Sequence, residues 1–420
     1  MSGTGLLAGA AAQPASTRRS RTARRPLLLI AAGIVLFSLV RVLSGANDID
    51  SSGSLGAAVG LAVPIGMAGL GGLWAERSGV VNIGLEGMMI LGTWGAGWAG
   101  YQWGPWAGVA MAVGCGLVGG LLHALLTVTF GVDHIISGVA INILGLGATQ
   151  YLADIAFVGA PGGSSTQSPS ATDLPVLSVP GASTALTALA DRHLFLVSDA
   201  ASALLSVTVN VSVLTLLAAV LVVLTYVVLW RTSFGLRLRF CGENPVAAAS
   251  LGVNVYRFKY AAVAVSGALA GFGGAFLALV ASNAYREGQT GGRGFIGLAA
   301  MIFGNWRPGG LALAAGLFGY TDALQLRRGG ESVHALLLLV ALVLAGVAAF
   351  QLLHHRRRPA AVSAVAGAVF LVWFVSTSSV PDDFATLTPY VTTLLVLALA
   401  SQRLRMPAAD GQVYRRGQTE

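Results

Sequence analysis

The chain has 420 residues, 55% hydrophobic and only 10% charged, with a formal net charge of +8. That balance excludes an ordinary soluble domain, and the clustering of the basic residues at the ends of apolar runs speaks against a nucleic-acid partner. The two cysteines, Cys115 in an apolar run and Cys241 in a basic loop, argue against a disulfide framework.

The fold class that follows is all-α: a polytopic transmembrane helical bundle of about ten to twelve hydrophobic segments, including a short or re-entrant helical pair. A helix crosses the ~30 Å hydrocarbon core with about 20 apolar residues and satisfies its own backbone on the way. The 56 glycines then serve close helix packing.

Residues 1–25 are expected to be a disordered, basic, cytoplasmic segment, because "RRSRTARR" (Arg18 to Arg25) marks the side on which Lys and Arg are retained. Pro26 to Ser44 is read as an uncleaved first span, since it is longer than a signal core. Leu55 to Trp74, Gly87 to Tyr101, Trp106 to Phe130, Ile135 to Phe157 and Ala203 to Trp230 follow, and six crossings return the chain to the cytoplasm at Arg231. The external loop between the last two, Gly159 to Ala200, is rich in Ser, Thr, Pro and Gly, with a short surface helix expected near Leu186. It is either a tolerated insertion or a docking surface for an external partner.

After the cytoplasmic loop 231–259 come Tyr260 to Ala281, the region Gly294 to Leu326, Val333 to Leu353, Ala360 to Ser376 and Phe384 to Ser401. "GNWRPGG" (Gly304 to Gly310) interrupts the second of these, which predicts a helical pair, Gly294 to Gly304 and Gly309 to Leu326, the first partly a buried half-helix. The pair keeps "HHRRR" (His354 to Arg358) and "QRLR" (Gln402 to Arg405) inside and leaves Arg327 and Arg328 outside. The transmembrane domain is thus 26–402, and the cytoplasmic tail 403–420 reads as disordered after Arg405.

The chain has no Gly-Lys-Ser/Thr phosphate loop and no histidine–cysteine spacing suited to a metal. Asp133 and His134 lie in a short turn and are not read as a catalytic pair, so the chain is not read as an enzyme. Glu76 and Arg77 are read as an interfacial charge anchor, and Trp94, Trp98, Trp103 and Trp106 as an external aromatic belt. Asn82 and Glu86, four apart on one helix face, and Asn142 inside the fifth run either line a translocation path or brace a broken helix. Both readings stay open.

In the loop "RTSFGLRLRFCGENPVAAASLGVNVYRFKY" (Arg231 to Tyr260), Gly242, Glu243 and Asn244 form a turn before Pro245, which is placed to open a helix that Gly252 closes. Ala247, Ala248 and Ala249 give it a smooth face suited to a groove on another protein.

"GLRLRFCGENPVAAASLGVNV" resembles the coupling loop of permease subunits in ATP-binding-cassette importers, the group that includes branched-chain amino acid and ribose permeases. "ERSGVVNIGLEGMMILGTWGA" (Glu76 to Ala96) and "GRGFIGLAAMIFGNWRPGGLALAAGLFGYTDALQ" (Gly292 to Gln325) resemble its nucleoside-type permeases, which work with a basic-membrane-protein-like lipoprotein receptor. The resemblance implies nucleoside import across the cytoplasmic membrane, with ATP bound by a separate cytoplasmic subunit and no cofactor or metal in this chain. It also implies a second related permease and an extracytoplasmic substrate-binding lipoprotein as partners. Branched-chain amino acids or monosaccharides are the alternative cargo. An ion- or proton-coupled carrier would need titratable groups at mid-membrane, and these are scarce here.

Overall fold

The computed structural model describes residues 33, 35–46, 49, 51–179, 181–190, 192, 194, 196–381, 384 and 404–415. The basic segment 1–25 and nearly all of the expected last span, Phe384 to Ser401, lie outside these residues.

Helix α1, Val35–Ser44, is the described end of the first expected span. α2, Ser52–Arg77, begins where the Ser51 hydroxyl accepts the Ser54 N–H at 3.2 Å. α3 (Leu85–Trp103), α4 (Pro105–Ala124) and α5 (His134–Phe157) follow, then the short α6 (Ala182–Ala190) and α7 (Val197–Thr208), and α8 (Val213–Arg231). α9 (Ser233–Glu243) and α10 (Pro245–Ser250) lead into α11 (Val255–Phe276), and α12 (Arg293–Phe303), α13 (Pro308–Leu353) and α14 (Arg357–Ser376) complete the order. Among the described residues, seven helical stretches are long and apolar enough to cross a membrane. Each of α4 and α11 ends in a π turn, at Leu125–Thr129 and Leu277–Ala281.

α11 and α2 are the most buried of the spans and α14 and α8 the least, so the first two form the centre of the bundle and the last two its periphery. Glycine makes that centre possible. A Cβ on Gly116 of α4 would lie 2.2 Å from the Gly267 carbonyl oxygen of α11, and one on Gly267 equally 2.2 Å from the Gly116 oxygen. With four-residue spacing to Gly120 and Gly271, the two backbones touch directly, which supplies the dispersion contact that lipid cannot replace.

Three sequence expectations change. The run Ala203 to Trp230 is two helices, because Asn210 takes a positive φ of 54° and β1 (Val176–Leu177) pairs antiparallel with β2 (Val211–Ser212) at the break. Asn210 N–H donates to the Ser178 hydroxyl at 2.9 Å, tying the loop 159–200 to the start of α8. The surface helix near Leu186 is α6.

Second, the helical pair forms, with its turn at Gly304–Arg307, but the expected turn at Arg327–Ser332 does not: α13 runs on for 46 residues. No proline interrupts that stretch, and the two glycines cost only about 1 kcal/mol each, which packing against α2 on one half and α14 on the other offsets. Third, residues 404–415 of the tail are folded, packed beneath the bundle.

Candidate functional site

The chain between α2 and α3 is unwound from Ser78 to Gly84, within a bundle whose helices otherwise satisfy their own backbones. Unpaired amides at this depth would cost several kcal/mol each. Side chains from three helices, α4, α5 and α11, and the segment's own Asn82 supply the missing partners. Val81 N–H donates to His134 Nδ1 at 3.2 Å, and His123 Nε2 donates to the Val81 carbonyl at 3.0 Å. Asn142 Nδ2 donates to the Ile83 carbonyl at 3.1 Å while its Oδ1 accepts the Gly87 N–H at 2.7 Å. Asn82 Oδ1 accepts the Gly84 N–H at 3.1 Å, its Nδ2 donates to the Ser266 hydroxyl at 2.9 Å, and Lys259 Nζ reaches the Gly79 carbonyl at 3.3 Å.

Glu86, on the first turn of α3, holds the start of α12: its two oxygens accept Gly292 N–H at 3.0 Å and Gly294 N–H at 2.7 Å. The carboxylate satisfies donors that a helix start leaves unpaired and complements the positive end of the helix dipole. Gly294 sits so close that a Cβ there would be 2.6 Å from Glu86 Cα. α12 spans only 11 residues and ends at the turn beside Glu76 and Arg77, so it is the half-helix, with its N-terminus at the level of the unwound segment. Asn82, Glu86 and Asn142 thus each bond backbone groups at the ends of the broken helices. Asp133 likewise caps α5, accepting the Ile135 and Ile136 N–H groups at 2.9 and 3.0 Å.

The charge anchor is an interior joint instead. Glu76 is buried and accepts Trp306 Nε1–H at 2.5 Å, while Arg77 Nη2 donates to the Trp306 carbonyl at 2.6 Å. The Arg77 and Arg239 guanidinium carbons stand 5.4 and 5.3 Å from the Trp230 ring centroid. Of the four tryptophans read as a belt, Trp103 and Trp106 are exposed, but Trp94 is buried and stacks on Trp98 at 5.7 Å.

The loop 231–259 attaches to this joint through Gly242, where a Cβ would lie 2.4 Å from the Arg77 carbonyl oxygen. Asn244 Oδ1 accepts the Ala247 N–H at 2.8 Å and so caps α10, Pro245 occupies its first turn, and Gly252 follows it at φ 80°. The alanine face is corrected: Ala248 is fully buried against Cys241 and Val255, with Ala247 and Ala249 half-buried at its flanks. What α10 shows to solvent is Val246, Ser250 and, just beyond it, Leu251. Burial pushes the Cys241 thiol up to about 11, so it is inert.

Sequence reasoning missed the tail. Arg405 N–H donates to Asn305 Oδ1 at 2.8 Å, Ala408 N–H to Glu243 at 3.2 Å and Ala409 N–H to the Gly242 carbonyl at 2.9 Å. Asp410 enters the joint beside Glu76, Arg77 and Lys259, and burial pushes its carboxyl up to about 7. "PAADG" is a turn signal, but nothing in its polarity announces a docked segment. At the opposite end of the bundle, a cleft of about 450 Å³ opens between α2, α7, α8 and α11, lined by Gly56, Gly60, Asn210, Thr215 and Phe276 among others.

Residues 54–353, spanning the unwound segment, the half-helix and the coupling loop, match the family described as the permease component of the branched-chain amino acid transport system. The chain belongs to that permease family. The permease is 35% identical over 278 residues to the guanosine ABC transporter permease protein NupQ of Bacillus subtilis, covering 63% of this chain and 79% of the relative. It is 33% identical over 372 residues to the putative glucose ABC transporter permease protein TsgC13 of Haloferax volcanii (87% and 98%). It is 30% identical over 364 residues to the nucleoside ABC transporter permease protein NupC of Lactococcus lactis (84% and 93%). No solved structure matches. The permease is therefore an integral membrane transport component and not an enzyme, of a kind that works with an ATP-binding subunit and a substrate-binding protein.

Proposed function

We propose that this permease imports nucleosides, pairing with a second related permease and receiving substrate from an extracytoplasmic lipoprotein receptor. ATP is bound by the partner subunit, and the chain itself needs no cofactor. The observation that carries the reading is the joint at Gly242: α9, which runs directly into the capped helix α10, abuts the end of α2. A displacement of α10 by the ATP-binding subunit therefore bears on the unwound segment and, through Trp306 and α12, on the Glu86 contact. Asn82, Glu86 and Asn142 serve the path by holding the broken helix ends that border it, and the outer cleft is its external mouth. Alternating access is a shift between two arrangements of these ends.

The cargo rests on the relatives named for guanosine and nucleosides. A monosaccharide is the second reading, favoured by the relative named for glucose, which matches over 98% of its own length. Uptake of labelled guanosine by cells expressing the full transporter, competed by other nucleosides, glucose or leucine, decides between them. Competition by nucleosides alone is the expected result, and competition by glucose alone would transfer the assignment to sugars.

A further inference from the structure

The sequence after the last basic cluster has no role in the function above, yet the structure holds it by hydrogen bonds to two turns and by close contact with a third. Arg405 is tied to Asn305, Ala408 and Ala409 to Glu243 and Gly242, and Ala409 O covers Gly79 so closely that a Cβ there would be 3.1 Å away. Tyr414 lies against Tyr256 with ring centroids 5.6 Å apart, and Val413 packs over Gly131. Between this segment and the start of α10 runs a cleft of about 440 Å³, lined by Glu243, Pro245 and Val246 on one side and Ala408, Gln412 and Val413 on the other.

We propose that residues 404–415 form the second half of the surface that receives the ATP-binding subunit, and that a side chain of that subunit seats in the cleft between them and α10. This rests on the reading of α10 as the coupling helix. Three features select that occupant. The cleft shares its α10 wall with the coupling helix, so whatever engages α10 from below meets the segment too. Its lips carry exposed apolar side chains, Val246 and Val413, inside a rim of Glu243, Gln412 and Arg415, the arrangement of a protein contact with an apolar centre and polar edge. Its floor is fixed: the segment is bonded to the turns that α10 must move, so the partner grips a braced unit.

The test uses the assembled transporter with its ATP-binding subunit. Ala408→Trp fills the cleft from an exposed position, and Val413→Asp puts a charge on its lip. Each should lower the amount of ATP-binding subunit retained by the purified permease by about tenfold, as loss of a hot-spot contact does, with helical content unchanged. A photo-crosslinking residue at position 412 should give an adduct with the ATP-binding subunit. Leu251→Glu, on the far side of α10, tests the coupling helix separately. If it releases the ATP-binding subunit while both cleft variants retain it and position 412 gives no adduct, the second half of the surface is overturned and the coupling helix stands. If none of the three variants releases the subunit, the coupling-helix reading falls and takes this one with it.

Discussion

Both oxygens of Glu86 accept N–H groups of α12, so the residue acts as a latch between two broken helices. Glu86→Gln keeps the shape but turns an NH2 group toward one of those donors and removes the charge at the helix N-terminus. Loss of a charge-assisted bond costs about 1.5–3 kcal/mol. Uptake should fall while the assembled transporter persists, and amide exchange at Gly292–Gly297 should accelerate; unchanged exchange would remove the latch. Asp410 gives the second prediction. Its folded carboxyl titrates at about 7, held up first by burial and opposed by Lys259 and Arg77, with Glu76 alongside, against about 3.9 for a free aspartate. The docked segment keeps a proton that the free segment has lost, so the contribution to docking is full below the free value and disappears as pH rises through 7. Limited proteolysis should cut after Arg405 faster at pH 8 than at pH 5.5, and Asp410→Asn should flatten the difference.

Among the elements, α10 shows how far a sequence can be read. Asn244, Pro245 and Gly252 announce a short capped helix, and the structure places each in that role. Its orientation was not legible, because fewer than two turns of small residues carry no hydrophobic stripe, and the inward face is set by Cys241 and Val255. Ala248→Glu should therefore damage the loop itself: forcing a carboxylate into a filled, apolar contact costs a few kcal/mol. Cleavage of the purified permease between residues 231 and 259 should accelerate even without the ATP-binding subunit, and a loop as protease-resistant as wild type would return Ala248 to the docking face. The unwound segment was half legible. Polar groups between apolar runs pointed to Asn82, Glu86 and Asn142, whereas His123, His134 and Ser266 lie 42 or more positions along the chain from the residues they bond and meet them only in the packed bundle.

For the whole molecule, the bilayer imposes a condition on α13. At 1.5 Å per residue its 46 residues extend about 69 Å, more than twice the ~30 Å core. Its distal half and α14 form an antiparallel hairpin that returns to Gly330, where Val380 N–H meets the Gly330 carbonyl at 3.1 Å. The outer face of that hairpin is apolar: Val362, Val365, Val369, Val372 and Val375 are all more than 60% exposed. A continuous row of this kind is tolerated against lipid and not against water. The proximal half of α13 needs the same slab, since its Tyr320 reaches the Ile49 carbonyl at the outer end of α2. Both halves enter hydrocarbon only if the helix opens at Gly329–Gly330, the pair of residues in this stretch that give most in a helix, and the hairpin folds back beside the bundle. Opened there, the hairpin would carry His354–Arg358 to the cytoplasmic face expected for its basic charge. A single cysteine at position 356, in a chain lacking Cys115 and Cys241, should then be labelled by an impermeant reagent only after the membrane is opened. Labelling from outside intact cells would mean that α13 stays straight in the membrane and that the hairpin stands clear of the lipid.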